Sequence, residues 1–290
     1  MYKALEDLIR EEQSSGIPFW KLVQKDDCKE QNKSEEQSFQ EMQYIYRSMR
    51  SSFEEYDAKL LSASGLVGGE GARLQKWREA GKMVSGEFIS SVMEKALKIS
   101  ESNACMKRIV AAPTAGSCGV VAAVFLGIQE KEQISEEKMA EALYVAAGIG
   151  GVIASRAFLS GAAGGCQAEI GSASAMAAGG LVYLLGGDAE GIANAAALAL
   201  KNLLGLACDP VAGLVEVPCV KRNVMGAVNS ITSAELTMAG IRSKIPPDEV
   251  IDAMRFIGRG MSEEIRETGK GGLAGTQTGI HYRESMSQSW

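Results

Sequence analysis

The sequence predicts a mainly α protein, a single helical domain with small-residue core helices. Three observations carry that expectation. Apolar residues recur near helical spacing, as at Phe39, Met42, Ile45, Tyr46, Met49 and Phe53. Strand signals are scarce throughout. Charge is unevenly spread, with only ten charged residues among the ninety-nine from Ala142 to Gly240. That pattern describes a core of small residues wrapped by charged, solvent-facing helices. A chain of 290 residues buries roughly three quarters of the surface its unfolded form exposes, so it needs no disulfides for a core.

Helices are expected at residues 1–13 and about 33–61, followed by a Gly/Ser-rich loop over 62–71 (SASGLVGGEG). The first stretch gives an N-terminal helical segment, 1–61, ahead of a larger unit, 62–290. A helix over about 85–100 precedes KRIVAAP at 107–113, read as a short strand or an extended lead-in to proline. The turn TAGSCG then opens a helical VVAAVFLGIQ. Further helices are expected at 136–160, 167–186, 188–206, 222–242 and 247–264, with Asp188 and Pro247 as start signals. Gly179-Gly180 marks a point of interruption in the second of these. The tail from Gly269 shows no periodicity and is read as a linker and loop.

Composition excludes several functions. A net charge of −6 gives no reason to expect nucleic acid or an anionic membrane as partner. The N-terminus lacks the cationic start and apolar core of a signal peptide. The uncharged run from Ile170 to Gly187 reaches spanning length, but its Gly, Ala and Ser content suits a buried, closely packed helix better. A reducing, cytoplasmic setting follows, in which six cysteines are not a disulfide framework. The single histidine, His281, lies in the tail, which argues against a histidine-based nucleophile or zinc site. GKGGLA at 269–274 follows a charged helix rather than a strand, so it lacks the setting of a dinucleotide loop.

The cysteines remain. Cys28 sits in a charged surface stretch, Cys105 reads as packing, and Cys118 lies in a glycine-bearing turn. Cys166, Cys208 and Cys219 differ: the first follows GAAGG, the others flank the proline-bearing CDPVAGLVEVPC. Loop cysteines of this kind suit convergence on a soft-metal site, and iron–sulfur clusters are held by thiolates. Three buried structural cysteines without metal are the plainer alternative, and spacing alone does not separate the two.

RIVAAPTAGSCGVVAAVF, GGCQAEIGSASAMAAGG and GLACDPVAGLVEVPCVKRNVMGAVNS resemble, in order, the signature segments of the iron–sulfur L-serine dehydratases, specifically the α subunit of the two-chain type. The resemblance spans roughly residues 60–280. It implies cluster-binding loops in which Cys166, Cys208 and Cys219 hold a 4Fe-4S cluster, leaving one iron without a protein thiolate. It implies a lyase that converts L-serine to pyruvate and ammonia. Thr114 and Gly116 of the APTAG turn, Glu169 and Asn223 are candidate substrate contacts. Single-chain relatives carry a β domain ahead of this part, so the catalytic base is expected from a separate β subunit; no catalytic residue is assigned on this chain. Two alternatives stay open: an L-cysteine desulfidase or other β-eliminating lyase, and a non-catalytic iron–sulfur sensor subunit.

Overall fold

Small side chains let helix axes approach closely, and the centre of the molecule is built on that principle. The computed structural model describes residues 2–287. In chain order its helices are α1 (Leu5–Ser15), α2 (Phe19–Gln31), α3 (Glu35–Glu54), α4 (Glu70–Glu79), α5 (Gly86–Ala104), α6 (Cys118–Glu132), α7 (Glu136–Arg156), α8 (Gly161–Gly164), α9 (Ser172–Leu184), α10 (Ala189–Lys201), α11 (Cys219–Met238), α12 (Pro247–Gly260) and α13 (Gln277–Ser287). Among the described residues no strand forms; the one β-type pairing is an isolated parallel bridge between Cys208 and Arg266. Residues 107–110 are irregular rather than a strand.

Helix α9 is the central rod, packed by α6, α7, α10 and α11. Every residue from Ser172 to Val182 is buried. The expected interruption at Gly179-Gly180 does not occur, because close packing is what these glycines provide. A β-carbon at Gly179 would fall on Ile149 Cδ1, and one at Gly180 on the Phe125 ring. The helix is thus pinned to α7 on one side and α6 on the other.

The N-terminal helices share this core. Leu5, Leu8, Phe19, Leu22, Tyr46 and Met49 belong to the same apolar cluster as α6, α7 and α9. Helix α2 was not expected from the sequence, whose mixed FWKLVQKDDCKEQ hides its inward residues Phe19, Leu22 and Gln24 among charges. Helix α4 was also unforeseen. It is mostly polar, packs Leu74 against Val67, Leu97 and Val220, and is anchored at its N-terminus: the Glu101 carboxylate accepts from Glu70 N at 2.8 Å and Gly71 N at 3.1 Å. That satisfies donors a helix start leaves unpaired and places an anion at its positive end.

The start signals read from sequence behave as their chemistry dictates. Asp188 caps α10, accepting from Gly191 N at 2.8 Å, and Pro247 is the first residue of α12. Among the described residues no helix is long and apolar enough to cross a membrane.

Candidate functional site

Three separate segments deliver three cysteines to one place. Cys166 follows Gly165, whose φ of +77° ends α8 in a conformation that glycine tolerates; a β-carbon there would also meet Met261 Sδ at 2.5 Å. Cys208 lies beyond α10, on the approach to the loop. Cys219 is the first residue of α11, where the helix N-terminus favours a thiolate. All six cysteines are free, and these three are buried.

The loop between Cys208 and Cys219 closes on itself. Val211 N donates to Val217 O at 2.8 Å, and Gly213 N to Pro210 O at 3.0 Å. Its backbone is left-handed at Ala212, φ +54°, and Gly213, φ +74°, and the Val217–Pro218 peptide is cis. Glu216, buried within the loop, accepts from Ser62 Oγ at 2.8 Å and from Ser64 Oγ. The SASG segment expected as a plain loop therefore braces the cysteine loop from outside.

The tail braces it from the other side. Cys208 N donates to Ile265 O at 2.8 Å, and Glu267 N to Cys208 O at 2.7 Å. Asp209 Oδ2 accepts from Leu273 N at 2.9 Å. Gly272 allows this approach, at φ +57°, where a β-carbon would stand 2.5 Å from Asp209 Oδ2. The GKGGLA segment is consequently a strap on the cysteine loop and not a loose linker. Beyond it the tail forms α13, which packs on the 3-10 turn Val211–Gly213. His281 is exposed on that helix.

Glu169 reaches the cysteines from a π-helical turn, Gln167–Gly171, at the entry to α9. Such a turn inserts an extra residue into the helical register and re-aims the side chains on it. Glu169 Oε1 accepts from Thr114 Oγ1 at 2.8 Å, and Oε2 lies 3.8 Å from Cys208 Sγ. Gly116 faces the same carboxylate: a β-carbon there would stand 3.3 Å from Oε1. Burial pushes the Glu169 carboxyl above the usual range, with the Thr114 hydrogen bond opposing. Thr114, Gly116, Glu169 and the three cysteines are thus one neighbourhood.

Asn223 belongs to that neighbourhood in a different capacity from the substrate contact expected of it. It is 1% exposed. Its Oδ1 accepts from Gly119 N at 2.9 Å; its Nδ2 donates to Gly116 O at 2.7 Å and Cys219 O at 3.0 Å. The carboxamide is spent on fastening the APTAG turn to the start of α11.

Two further residues escaped the sequence reading. Gln167, fully buried, donates to Gly164 O at 2.9 Å and Met254 O at 3.1 Å, and accepts from Gly205 N at 2.9 Å. It stitches the Cys166 segment to the approach to Cys208 and to α12. Arg222 reaches Ala207 O and Asp209 from the first turn of α11. Neither has a local signature, since each acts through partners distant in sequence.

Three buried thiols brought to one place form a soft-donor set, the kind that thiophilic metals take. Burial is the largest influence on all three thiols, raising Cys166 to about 11 and Cys219 to about 12; each of these two and Cys208 is raised further by Glu169, and Cys208 and Cys219 by the thiol of Cys166. Three such thiols in mutual electrostatic reach ionise readily only beside a concentrated positive charge, as a bound metal group provides. Among the described residues no three His, Cys, Asp or Glu side chains close on a single ion. Cys118, by contrast, is buried at the start of α6 and is shifted by burial and backbone contacts alone.

A family profile described as "Serine dehydratase alpha chain" matches residues 14–274. The chain is 45% identical over 279 residues to "Probable L-serine dehydratase, alpha chain" of Bacillus subtilis (strain 168), covering 96% of this chain and 93% of that protein. It is 41% identical over 276 residues to "L-serine dehydratase, alpha chain" of Peptoniphilus asaccharolyticus, covering 93% of each. It is 42% identical to "L-serine dehydratase TdcG" of Escherichia coli (strain K12) over 181 residues, which are 62% of this chain and only 40% of that longer protein.

Proposed function

The chain belongs to the serine dehydratase alpha-chain family, and from that premise we propose that it is the cluster-bearing chain of an L-serine ammonia-lyase, with Cys166, Cys208 and Cys219 holding a 4Fe-4S cluster. The observation that carries the reading is the convergence of three buried, free cysteines from three segments beside Glu169 and Thr114. When bound, the cluster would supply Lewis-acid assistance to departure of the serine β-hydroxyl, an effect worth several kcal/mol.

The chain's own residues handle the rest of the substrate. The APTAG turn at 112–116 offers the first N–H groups of the turn to the serine carboxylate, donors that a helix start leaves unused, while the Thr114 hydroxyl is committed to Glu169. Glu169, ionised, receives the substrate ammonium group, with Thr114 fixing its orientation through the 2.8 Å hydrogen bond. Asn223 holds that turn against Cys219, so carboxylate subsite and cysteine site keep a fixed spacing. The Cα proton leaves to a base. The only histidine, His281, is exposed on α13, and the base is assigned to a separate β subunit, which the name "alpha chain" of the relatives presupposes. Elimination yields aminoacrylate, which tautomerises and hydrolyses to pyruvate and ammonia without further help. Such chemistry fits a cytoplasmic enzyme.

The test is to purify the chain without oxygen and measure iron and acid-labile sulfide in wild type and in Cys166→Ser, Cys208→Ser and Cys219→Ser. Equal iron and sulfide in wild type, lost in each variant, supports the cluster; no iron after reconstitution sinks it. Turnover of serine, threonine and cysteine side by side, with and without the second chain, then separates the dehydratase from a desulfidase or a sensor.

A further inference from the structure

We propose that Arg222 is the organiser of the cysteine site, a single guanidinium that ties the Cys219 helix to both flanks of Cys208 and supplies a fixed positive charge beside the three cysteines. The proposal rests on the cluster reading above and concerns how this chain prepares the site.

The geometry is unusually complete for one side chain. Arg222 stands on the first turn of α11, three residues after Cys219. Its Nη1 donates to Ala207 O, the residue before Cys208, at 2.7 Å. Its Nη2 lies 2.9 Å from Oδ1 of Asp209, the residue after Cys208. The same guanidinium lies within electrostatic reach of the Cys166 thiol and favours its ionised form. From the Cys219 helix it therefore grips both flanks of Cys208, and its charge is felt at the Cys166 thiol. Only a planar fork with several donors in fixed directions reaches that many acceptors at once; a lysine ammonium does not.

Packing does not explain the pair. The Arg222 and Asp209 side chains are 16% and 7% exposed, and taking both charges out of water carries a desolvation cost that well-packed apolar residues would not incur. Charge balance does explain it. Three thiolates, Asp209 and Glu169 put negative charge into one enclosed region, and Arg222 is the cation that acts on Cys166 and Cys219. Asp209 in turn keys the guanidinium to the tail through Leu273 N. The tail strap, the cysteine loop and α11 thus meet at this ion pair.

The experiment compares wild type with Arg222→Met, Arg222→Lys and the double variant Arg222→Met/Asp209→Asn, all prepared without oxygen. Far-UV circular dichroism checks the fold. Iron and sulfide uptake across graded iron concentrations, and the reduction potential of the loaded cluster, are the readouts, and neither depends on turnover. Losing an outer-sphere partner of this kind costs roughly 10- to 100-fold in metal affinity, so half-loading of Arg222→Met is expected at that much more iron. Its potential should fall, because the reduced cluster loses a neighbouring positive charge, while Arg222→Lys keeps the charge and the potential but loads less well than wild type. The double variant leaves no unpaired carboxylate at 209 and serves if the single one does not fold; it too should load poorly. Wild-type loading and potential in a folded Met or double variant would overturn the proposal. A wild-type chain that takes up no iron would instead overturn the cluster reading, so the two failures are distinguishable.

Discussion

Glu169 carries the sharpest prediction at the level of single residues. Its carboxylate is gripped by Thr114 on one side and reaches the Cys208 sulfur on the other. A hydrogen bond to a charged group is worth about 1.5–3 kcal/mol, so Glu169→Gln should raise KM for serine roughly 10- to 100-fold. Iron content should stay at the wild-type level, which steady-state kinetics and an iron assay on the same preparation will check. Asn223→Ala acts differently. It leaves Gly119 N and Gly116 O buried without their partner, at a cost of about 1–3 kcal/mol, so it should lower the melting temperature and weaken turnover together. The cysteine trio was legible because the segments around Cys166, Cys208 and Cys219 are long and specific in wording. The job of Asn223 was not, because its three partners come from a turn more than a hundred positions away and from its own helix. Gln167 and Arg222 were silent because each joins segments that only the fold brings together.

At the scale of the elements, what the sequence conveyed depended on where each helix gets its stability. Helices with an apolar stripe or a recognisable cap, such as α3, α10 and α12, were readable. Helix α4 has no stripe and depends on the Glu101 carboxylate, a contact invisible to periodicity. Helix α13 settles against the cysteine loop, so its stability too comes from tertiary contacts. The Gly179-Gly180 pair was misread as a break because glycine disfavours helix in isolation; inside α9 its missing side chain is what lets Phe125 and Ile149 in. Gly180→Val should therefore destabilise the fold by about 1–3 kcal/mol or more through overpacking, measured as a lower denaturant midpoint. The same substitution at Gly186, where a side chain would meet nothing, tests only the φ of +84° and not the packing.

For the whole molecule, the prediction concerns incompleteness. A site with Glu169, Thr114 and three cysteines but no histidine beside them is half of a catalytic apparatus. Serine turnover should be negligible with this chain alone and should rise to saturation as the second chain is titrated in, with the saturation point giving the stoichiometry. Cluster loading, in contrast, should not need the second chain, because every residue named for it lies within the described fold.

The bridge between Cys208 and the strap at Ile265 and Glu267 also bears on the order of events during synthesis. More than fifty residues separate the two, and at about 5–20 residues per second the ribosome needs several seconds to make them. Throughout that interval Cys166 and Cys208 exist in a nascent chain whose site has neither its strap nor, at first, Cys219 and α11. Metal delivered then would meet an open thiol pair instead of a finished cradle. If the trio holds the proposed cluster, its insertion follows translation of the strap, and the newborn chain has to be kept reduced until then.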